Sequence, residues 1–152
     1  MNKHISRQIM VAGIMLATLI PRLALAESAG LESITVYKSP TCGCCSKWVR
    51  HLQDNGFAVE AIDRNDMNAV KLKSGIPRQL SSCHTAIIDG YVIEGHVPAV
   101  DIRRLLKDRP AVAGLTVPRM PMGSPGMEGP RHDNYDVLTF TSSGDTTVFG
   151  RY

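Results

Sequence analysis

The sequence predicts an α/β domain in which a mixed sheet carries helices on its faces. Two observations lead to this fold class. Strand-like and helix-like segments alternate in the order β-α-β-α-β-β-α between residues 34 and 107. Three of the four cysteines, Cys42, Cys44 and Cys45, lie at the junction of the first strand and the first helix. We therefore expect the domain to be organised around that junction, which is called the cysteine corner (residues 42–45) below.

The first strand and helix are the clearest elements of the pattern. The strand is predicted over Ile34–Tyr37, where the residues are β-branched or aromatic. The helix is predicted from about Cys45 to Asn55, with Trp48 and Leu52 on its apolar face. A helix N-terminus offers unpaired N–H groups and a positive dipole end, which favour thiolate over thiol. The cysteine corner is thus suited to sulfur chemistry.

The later segments complete the α/β pattern. They are a strand over Phe57–Ile62, a helix within Asp63–Gly75, two strands over Thr85–Ile88 and Tyr91–Ile93 joined by an Asp-Gly turn, and a helix over Pro98–Lys107. This order is typical of thioredoxin-like domains. Such domains usually carry a cis-proline before the third strand, but here Cys83 and His84 occupy that place. In this fold, both residues are expected to face the cysteine corner.

The C-terminal third differs in composition. The stretch Gly114–Pro130 is rich in proline and glycine and is predicted to be irregular. It nevertheless contains Met120, Met122 and Met127, three of the four methionines that follow residue 26. The tail, from Tyr135 to Phe149, is predicted to form a further β-hairpin that packs on the same domain.

The first 26 residues have the pattern of a secretory signal peptide. A short basic region is followed by an apolar run over Ile9–Ile20 and by a small-x-small cleavage site that ends at Ala26. The alternative is an uncleaved membrane anchor, but about twelve apolar residues are fewer than the ~20 that span a bilayer. The sequence therefore predicts a signal peptide over 1–26, an exported domain over 27–152, and no stable membrane insertion after cleavage.

Removal of the signal peptide would change the charge balance. Lys3, Arg7 and Arg22 leave with it, so the basic residues fall from 17 to 14 and equal the 14 acidic residues. The near-neutral domain has no basic stripe, and nucleic acid is not an expected partner.

The cysteine spacing limits the possible disulfides. Four cysteines in an exported chain usually form two disulfides. Three thiols within four residues are poor links to distant segments, and the adjacent Cys44 and Cys45 rarely pair with each other. A single Cys42–Cys45 disulfide at a helix start is sterically reasonable.

The candidate ligands favour a soft metal ion. Thiolate and thioether together select Cu(I), and crowded thiolates can bridge several ions. Zinc makes little use of methionine, and the C-x-C-C spacing is not familiar in iron–sulfur proteins. His51 is expected on the helix surface instead. The candidate metal ligands are Cys42, Cys44, Cys45, Cys83, His84, His96, Met120, Met122 and Met127.

Two further function classes remain open. A thiol–disulfide oxidoreductase would use Cys42 as nucleophile and Cys45 as resolving thiol. Cys44 would then invite mispairing, so metal binding is the favoured interpretation. A copper oxidoreductase would need the same ligands as a copper-binding protein, so the sequence does not separate these two.

Several blocks of the chain resemble the small periplasmic metal-binding proteins of the CopG copper-resistance type. The matching blocks are Ser39–Cys45 with Trp48, Ser82–Ala86, Glu94–Ala99, Gly114–Pro118, Met120-Pro121 and Gly123–Glu128. The resemblance implies a thioredoxin-like fold, export to the periplasm and copper, as Cu(I) or Cu(II), at the cysteine corner. It also implies a role in copper tolerance beside other periplasmic copper-handling proteins, with a change in the oxidation state of copper as a further activity.

Overall fold

A computed structural model describes residues 32–152 of the chain. The predicted signal peptide, 1–26, lies outside the described residues. Within residues 32–152, no helix has both the length and the apolar character needed to cross a membrane.

The described chain contains seven strands and three α-helices. A single 3₁₀ turn, Arg78–Leu80, precedes the third strand. In chain order the elements are β1 (Ser33–Lys38), α1 (Gly43–Asp54), β2 (Ala58–Asp63), α2 (Met67–Lys73), β3 (His84–Ile88), β4 (Tyr91–Gly95), α3 (Ala99–Asp108), β5 (Gly114–Val117), β6 (Asp136–Phe140) and β7 (Thr146–Arg151). The predicted element order is confirmed through α3, with boundaries shifted by a few residues.

All seven strands form one mixed sheet in the order β2-β1-β3-β4-β5-β6-β7. The β1–β2 and β4–β5 pairs are parallel, and the other neighbouring strands are antiparallel. In the β1–β3 pair, Lys38 at the end of β1 lies opposite His84 at the start of β3. The cysteine corner follows β1, and Cys83 precedes β3. This register therefore brings both segments to the same end of these two neighbouring strands.

The main core lies between the sheet and helices α1 and α3. Trp48 and Leu52 of α1 and Ile102 and Leu105 of α3 are fully buried against Ile34 and other strand residues. Full burial of a large apolar side chain stabilises a fold by about 1.5–3 kcal/mol relative to its exposure. This core fixes α1, and with it the cysteine corner, relative to the sheet.

The prediction that Gly114–Pro130 is wholly irregular was wrong for its first four residues. Gly114–Val117 forms β5, a buried strand between β4 and β6. A Cβ atom at residue 114 would come within 1.7 Å of the Val92 carbonyl oxygen, so glycine is needed for the close approach of β5 to β4. The remaining residues, 118–130, are irregular and are called the lid segment below.

The C-terminal hairpin is confirmed. Strands β6 and β7 pair in an antiparallel manner and extend the same sheet beyond β5. Tyr152 donates a hydrogen bond of 2.6 Å from its hydroxyl to the buried carboxylate of Asp101 in α3. The hairpin therefore packs on the same domain as the cysteine corner.

Candidate metal centre

The cysteine corner forms the turn from β1 into α1. The Cys42 N–H donates to the Ser39 carbonyl at 3.1 Å, which closes the turn. Cys42 is the N-cap residue of α1, and its sulfur accepts a hydrogen bond from the Cys45 N–H at 3.3 Å. The helix begins at Gly43, two residues earlier than predicted, so all three cysteines of the corner belong to its cap and first turn.

Four sulfur atoms converge at this corner. Cys42 and Cys45 form a disulfide, with their Cα atoms 5.4 Å apart. Cys44 and Cys83 are free thiols, and both side chains are half-buried. The Cys44 sulfur lies 3.5 Å from the Cys42 sulfur and 4.0 Å from the Cys83 sulfur. All four sulfur atoms lie within 4.8 Å of one another, although Cys83 is distant from the corner in sequence.

Two buried histidines lie beside Cys83. The Cys83 sulfur is 3.3 Å from His84 Nδ1 and 3.3 Å from His96 Nε2. Both imidazoles are fully buried. Their other ring nitrogens, His84 Nε2 and His96 Nδ1, have no hydrogen-bond partner of good geometry among residues 32–152. The ring nitrogens that face the Cys83 sulfur are the ones placed to bind a metal ion beside it.

Burial controls the protonation of these groups. It is the main cause that lowers the pKa of His84 well below 6.5, and the neighbouring His96 and Lys71 add to this effect. It also lowers the pKa of His96, against the opposing effect of the Pro125 backbone. Both imidazoles are therefore neutral at pH 7 and keep a lone pair for a metal ion.

The pKa of the Cys83 thiol is shifted in the opposite direction, upward. Burial, followed by the neighbouring Cys44, raises the pKa of Cys83 to about 12. The thiol is therefore protonated at neutral pH. A metal ion that binds to this sulfur must displace the proton.

Trp48 belongs both to the core and to this site. As the sequence predicted, its side chain is buried. The ring centroid of Trp48 also lies 4.2 Å from that of His84, and its indole N–H donates to the Val97 carbonyl at 2.9 Å. The helical spacing of Trp48 indicated a core position and gave no signal for its contact with His84.

The lid segment packs on the first turn of α1. A Cβ atom at Gly126 would come within 2.8 Å of the Cys44 carbonyl oxygen and 2.9 Å of the Trp48 amide nitrogen. The Gly126 N–H donates to the Glu128 carboxylate at 2.7 Å, which holds the turn closed. The lid segment therefore covers the backbone of the cysteine corner.

The predicted methionine ligands all lie in the lid segment. Met120, Met122 and Met127 are half-buried. Met127 follows the residue in contact with α1, and the Met122 side chain packs near Gly129. Met120 has a left-handed backbone with φ of 49°, which is uncommon for a residue other than glycine.

His51, expected on the helix surface, is more enclosed than a free surface residue. It is half-buried, and its Nε2 accepts a hydrogen bond of 3.1 Å from the Ala99 N–H at the start of α3. Burial lowers the pKa of His51, which keeps this acceptor unprotonated. Helical periodicity placed His51 outside the apolar face, but it did not reveal the neighbouring helix end.

The donor atoms suit a soft metal ion. Four sulfur atoms and two neutral imidazoles converge, with Cys83 common to both the sulfur group and the histidine group. Thiolate selects Cu(I) and zinc, and imidazole suits copper and zinc. Fold and site together define a small α/β protein with a cysteine–histidine centre that can hold a metal ion.

Comparison with known proteins agrees with this class. The family described as "Protein of unknown function, DUF411" matches residues 80–127. Two solved structures, titled copper resistance protein copG, Form 2 and Form 1, are each 47% identical to this chain. The match covers 81% of this chain and 99% or 98% of theirs, with TM-scores of 0.77 and 0.76. A search of curated protein sequences gave no match.

The identity and coverage show the family. The chain belongs to the CopG copper-resistance family, as its sequence blocks suggested.

Proposed function

We propose that this protein binds Cu(I) in the periplasm and contributes to copper tolerance. The observation that carries the proposal is the convergence of four cysteine sulfurs within 4.8 Å of one another. Sulfur ligands stabilise Cu(I), and several thiolates in contact can bridge more than one ion. The thiolate ligands are Cys42, Cys44, Cys45 and Cys83.

His84 and His96 complete the ligand set on the side of Cys83. Each neutral ring has one nitrogen 3.3 Å from the Cys83 sulfur. Met120, Met122 and Met127 supply thioethers from the lid segment, which limits access of water and oxygen to bound Cu(I). The contact of Gly126 with the Cys44 backbone supports this role of the lid segment.

The proposal includes a thioredoxin-like domain and export. The order β1-α1-β2-α2-β3-β4-α3 and the antiparallel pairing of β1 with β3 support the fold assignment. We assign residues 1–26 to a cleaved signal peptide and 27–152 to the exported domain. The expected partners are copper ions and other periplasmic copper-handling proteins, with no role for nucleic acid.

The disulfide supports a redox function as a second candidate. Cys42 and Cys45 can bind copper as thiolates only after their disulfide is reduced. In the reverse direction, the Cys42 thiolate and the Cys45 thiolate each give one electron to a Cu(II) ion. Two Cu(I) ions form, and the two sulfur atoms join in an S–S bond. The product is the Cys42–Cys45 disulfide seen in the structure. Repeated turnover, with a dithiol donor reducing the disulfide back to two thiolates and becoming a disulfide itself, would make the protein a copper oxidoreductase.

Thiol–disulfide exchange is the third candidate. The Cys44 sulfur lies 3.5 Å from the Cys42 sulfur, within reach of the disulfide. An exchange enzyme would turn over a disulfide substrate and retain no metal. Turnover of a model disulfide by metal-free protein, compared with Cu(I) retention by the same sample, separates this activity from copper binding.

The Cys45→Ser variant tests the proposed ligand set. We expect it to lose tight Cu(I) binding, measured by competition with bicinchoninate under anaerobic conditions. Circular dichroism should remain that of the wild type, since the fully buried Cys45 side chain is replaced by one of similar size. Undiminished Cu(I) binding by the folded variant would contradict the proposed site.

Replacement of the lid methionines tests their role. The triple variant Met120→Leu, Met122→Leu and Met127→Leu keeps apolar volume but removes the thioethers. We expect faster air oxidation of bound Cu(I) than in the wild type, with Met67→Leu in α2 as the matched control. Equal oxidation rates in the triple variant and the control would make these residues hydrophobic anchors only.

A further inference from the structure

Glu94 is a fully buried carboxylate at the next-to-last residue of β4. One carboxylate oxygen accepts hydrogen bonds from the Ser82 N–H at 2.5 Å and the Ser82 hydroxyl at 2.9 Å. The same oxygen pairs with Lys71 Nζ at 2.5 Å, and the other oxygen accepts from the Thr85 hydroxyl at 2.7 Å. Lys71 is buried as well and also donates to Thr85 at 3.1 Å. The Glu94 carboxylate is therefore fully paired.

The hydrogen bonds of Glu94 lie on both sides of two candidate ligands. Ser82 and Thr85 flank Cys83 and His84 directly, so a single carboxylate fixes both ends of that short segment. The strand that carries Glu94 ends at Gly95, the residue before His96. All three members of the group Cys83, His84 and His96 thus lie on backbone that is tied to Glu94.

Gly95 makes this connection closer. It has a φ of 76°, and a Cβ atom there would lie within 2.8 Å of the Ser82 hydroxyl and 2.7 Å of the Val117 carbonyl oxygen. Glycine is therefore needed to let the backbone before His96 contact the segment that carries Cys83. The end of β4 therefore packs directly against Ser82, with no room for an additional side-chain atom between them.

Stability alone does not account for this buried ion pair. Removal of a carboxylate and an ammonium group from water is costly, and well-packed apolar pairs in the same place are often as stable or more stable. What the carboxylate provides beyond an apolar side chain is a set of directed hydrogen bonds to the ligand-bearing segment. The pairing with Lys71 also compensates the carboxylate charge, which would otherwise repel thiolates nearby.

We propose that Glu94, paired with Lys71, is a positioning residue for copper binding that holds Cys83, His84 and His96 at their mutual distances. This inference rests on the proposed function, because it assumes that these three residues bind copper. A ligand set held in place before binding loses less conformational freedom when the ion arrives. Removal of groups that orient metal ligands typically weakens metal binding by about 10–100-fold.

The test compares two buried carboxylates in the reduced protein. Glu94→Gln has nearly the same shape as the native residue but cannot accept all four hydrogen bonds. Asp101→Asn is the matched control, since Asp101 of α3 is also buried and pairs with Arg104 in the same helix and with the C-terminal Tyr152. We expect Cu(I) affinity, from bicinchoninate competition, to fall by about 10–100-fold in Glu94→Gln and to stay within about twofold of wild type in the control.

A spectroscopic measurement separates positioning from general destabilisation. With Co(II) as the probe, the d–d bands report the ligand geometry. They should shift in Glu94→Gln but not in Asp101→Asn. If Glu94→Gln fails to fold because Lys71 is left unpaired, the neutral double variant Lys71→Met with Glu94→Gln takes its place. Thr85→Val is a second alternative, since it removes the hydroxyl that donates to Glu94 and accepts from Lys71. The same loss of affinity and the same spectral shift are expected in these variants.

The outcomes are distinct for the two proposals. A folded Glu94 variant with wild-type Cu(I) affinity and a wild-type Co(II) spectrum would overturn the positioning role alone. A wild-type protein that binds no Cu(I) when reduced would overturn the proposed function and this inference with it.

Discussion

Substitution of Gly126 by alanine should open the lid segment. Gly126 has a φ of 87°, and alanine in such a left-handed backbone costs about 1–2 kcal/mol. The new Cβ atom would also lie within 2.8 Å of the Cys44 carbonyl oxygen and 2.9 Å of the Trp48 amide nitrogen. Overpacking of this kind typically costs about 1–3 kcal/mol. The overpacking cost disappears if the lid segment lifts away from α1, because the clashing atoms belong to α1.

Gly90→Ala provides the matched control. Gly90 has a similar φ of 84°, but a Cβ atom there would meet no atom within 4 Å. It therefore carries the backbone strain without the clash. The difference between the two variants isolates the contact between the lid segment and the cysteine corner. The free energy of this clash, about 1–3 kcal/mol, corresponds to an increase of about 5–150-fold in the population with an open lid segment.

The assay is the reaction rate of the two free thiols, Cys44 and Cys83, with a chromogenic disulfide reagent. We expect this rate to rise in Gly126→Ala by the factor given above and to stay near the wild-type rate in Gly90→Ala. Urea unfolding of both variants gives the stability change for comparison. Equal thiol reactivity in the two variants would refute the idea that the lid segment covers the cysteine corner.

Two further predictions concern the site, and a third concerns folding stability. Cu(I) binding beside His84 should quench the fluorescence of Trp48, the only tryptophan in the chain, because the two ring centroids lie 4.2 Å apart. The apparent Cu(I) affinity should rise about tenfold per pH unit for each thiol proton displaced, since the pKa of Cys83 is raised to about 12, and Cys83→Ser should reduce this slope. Stability should fall as the pH drops below about 6.5, because burial lowers the pKa of His51 and the unfolded chain binds more protons in that range. His51→Gln keeps an acceptor for the Ala99 N–H and should flatten this dependence in urea unfolding.

Each of these has a result that would contradict it. Trp48 emission that is unchanged by one equivalent of Cu(I) would place the metal ion away from His84. A pH-independent Cu(I) affinity would mean that Cys83 keeps its proton. For the acid dependence, the exposed His132→Gln variant is the control, and the same slope in both histidine variants would rule out a contribution from His51.

The strands and helices up to α3 could be predicted because local signals agree there. Alternating β-branched residues, the Asp-Gly turn and the apolar face of α1 all favour the same structure. Strand β5 could not be found in this way. It has only four residues between Gly114 and Pro118, and its stability comes from pairing with β4 and β6, which local sequence does not reveal.

The candidate site, too, could be predicted only in part from the sequence. The cysteine corner was visible in the sequence because its spacing is unusual for a structural role. The approach of Cys83 and His84 to the cysteine corner followed only once the strand order was assumed, since β1 must pair with β3. The buried pair of Glu94 with Lys71 was missed, although a glutamate within an otherwise apolar strand was a signal that could have been used.

The most direct test of the central claim is the number of copper ions per chain in protein isolated anaerobically from copper-grown cells. Elemental analysis gives the copper content, and free thiols are counted on the same sample. Our account predicts at least one copper ion per chain, with the four cysteines unavailable to a thiol reagent until copper is removed. Protein that contains no copper and retains the Cys42–Cys45 disulfide would contradict it and would favour thiol–disulfide exchange.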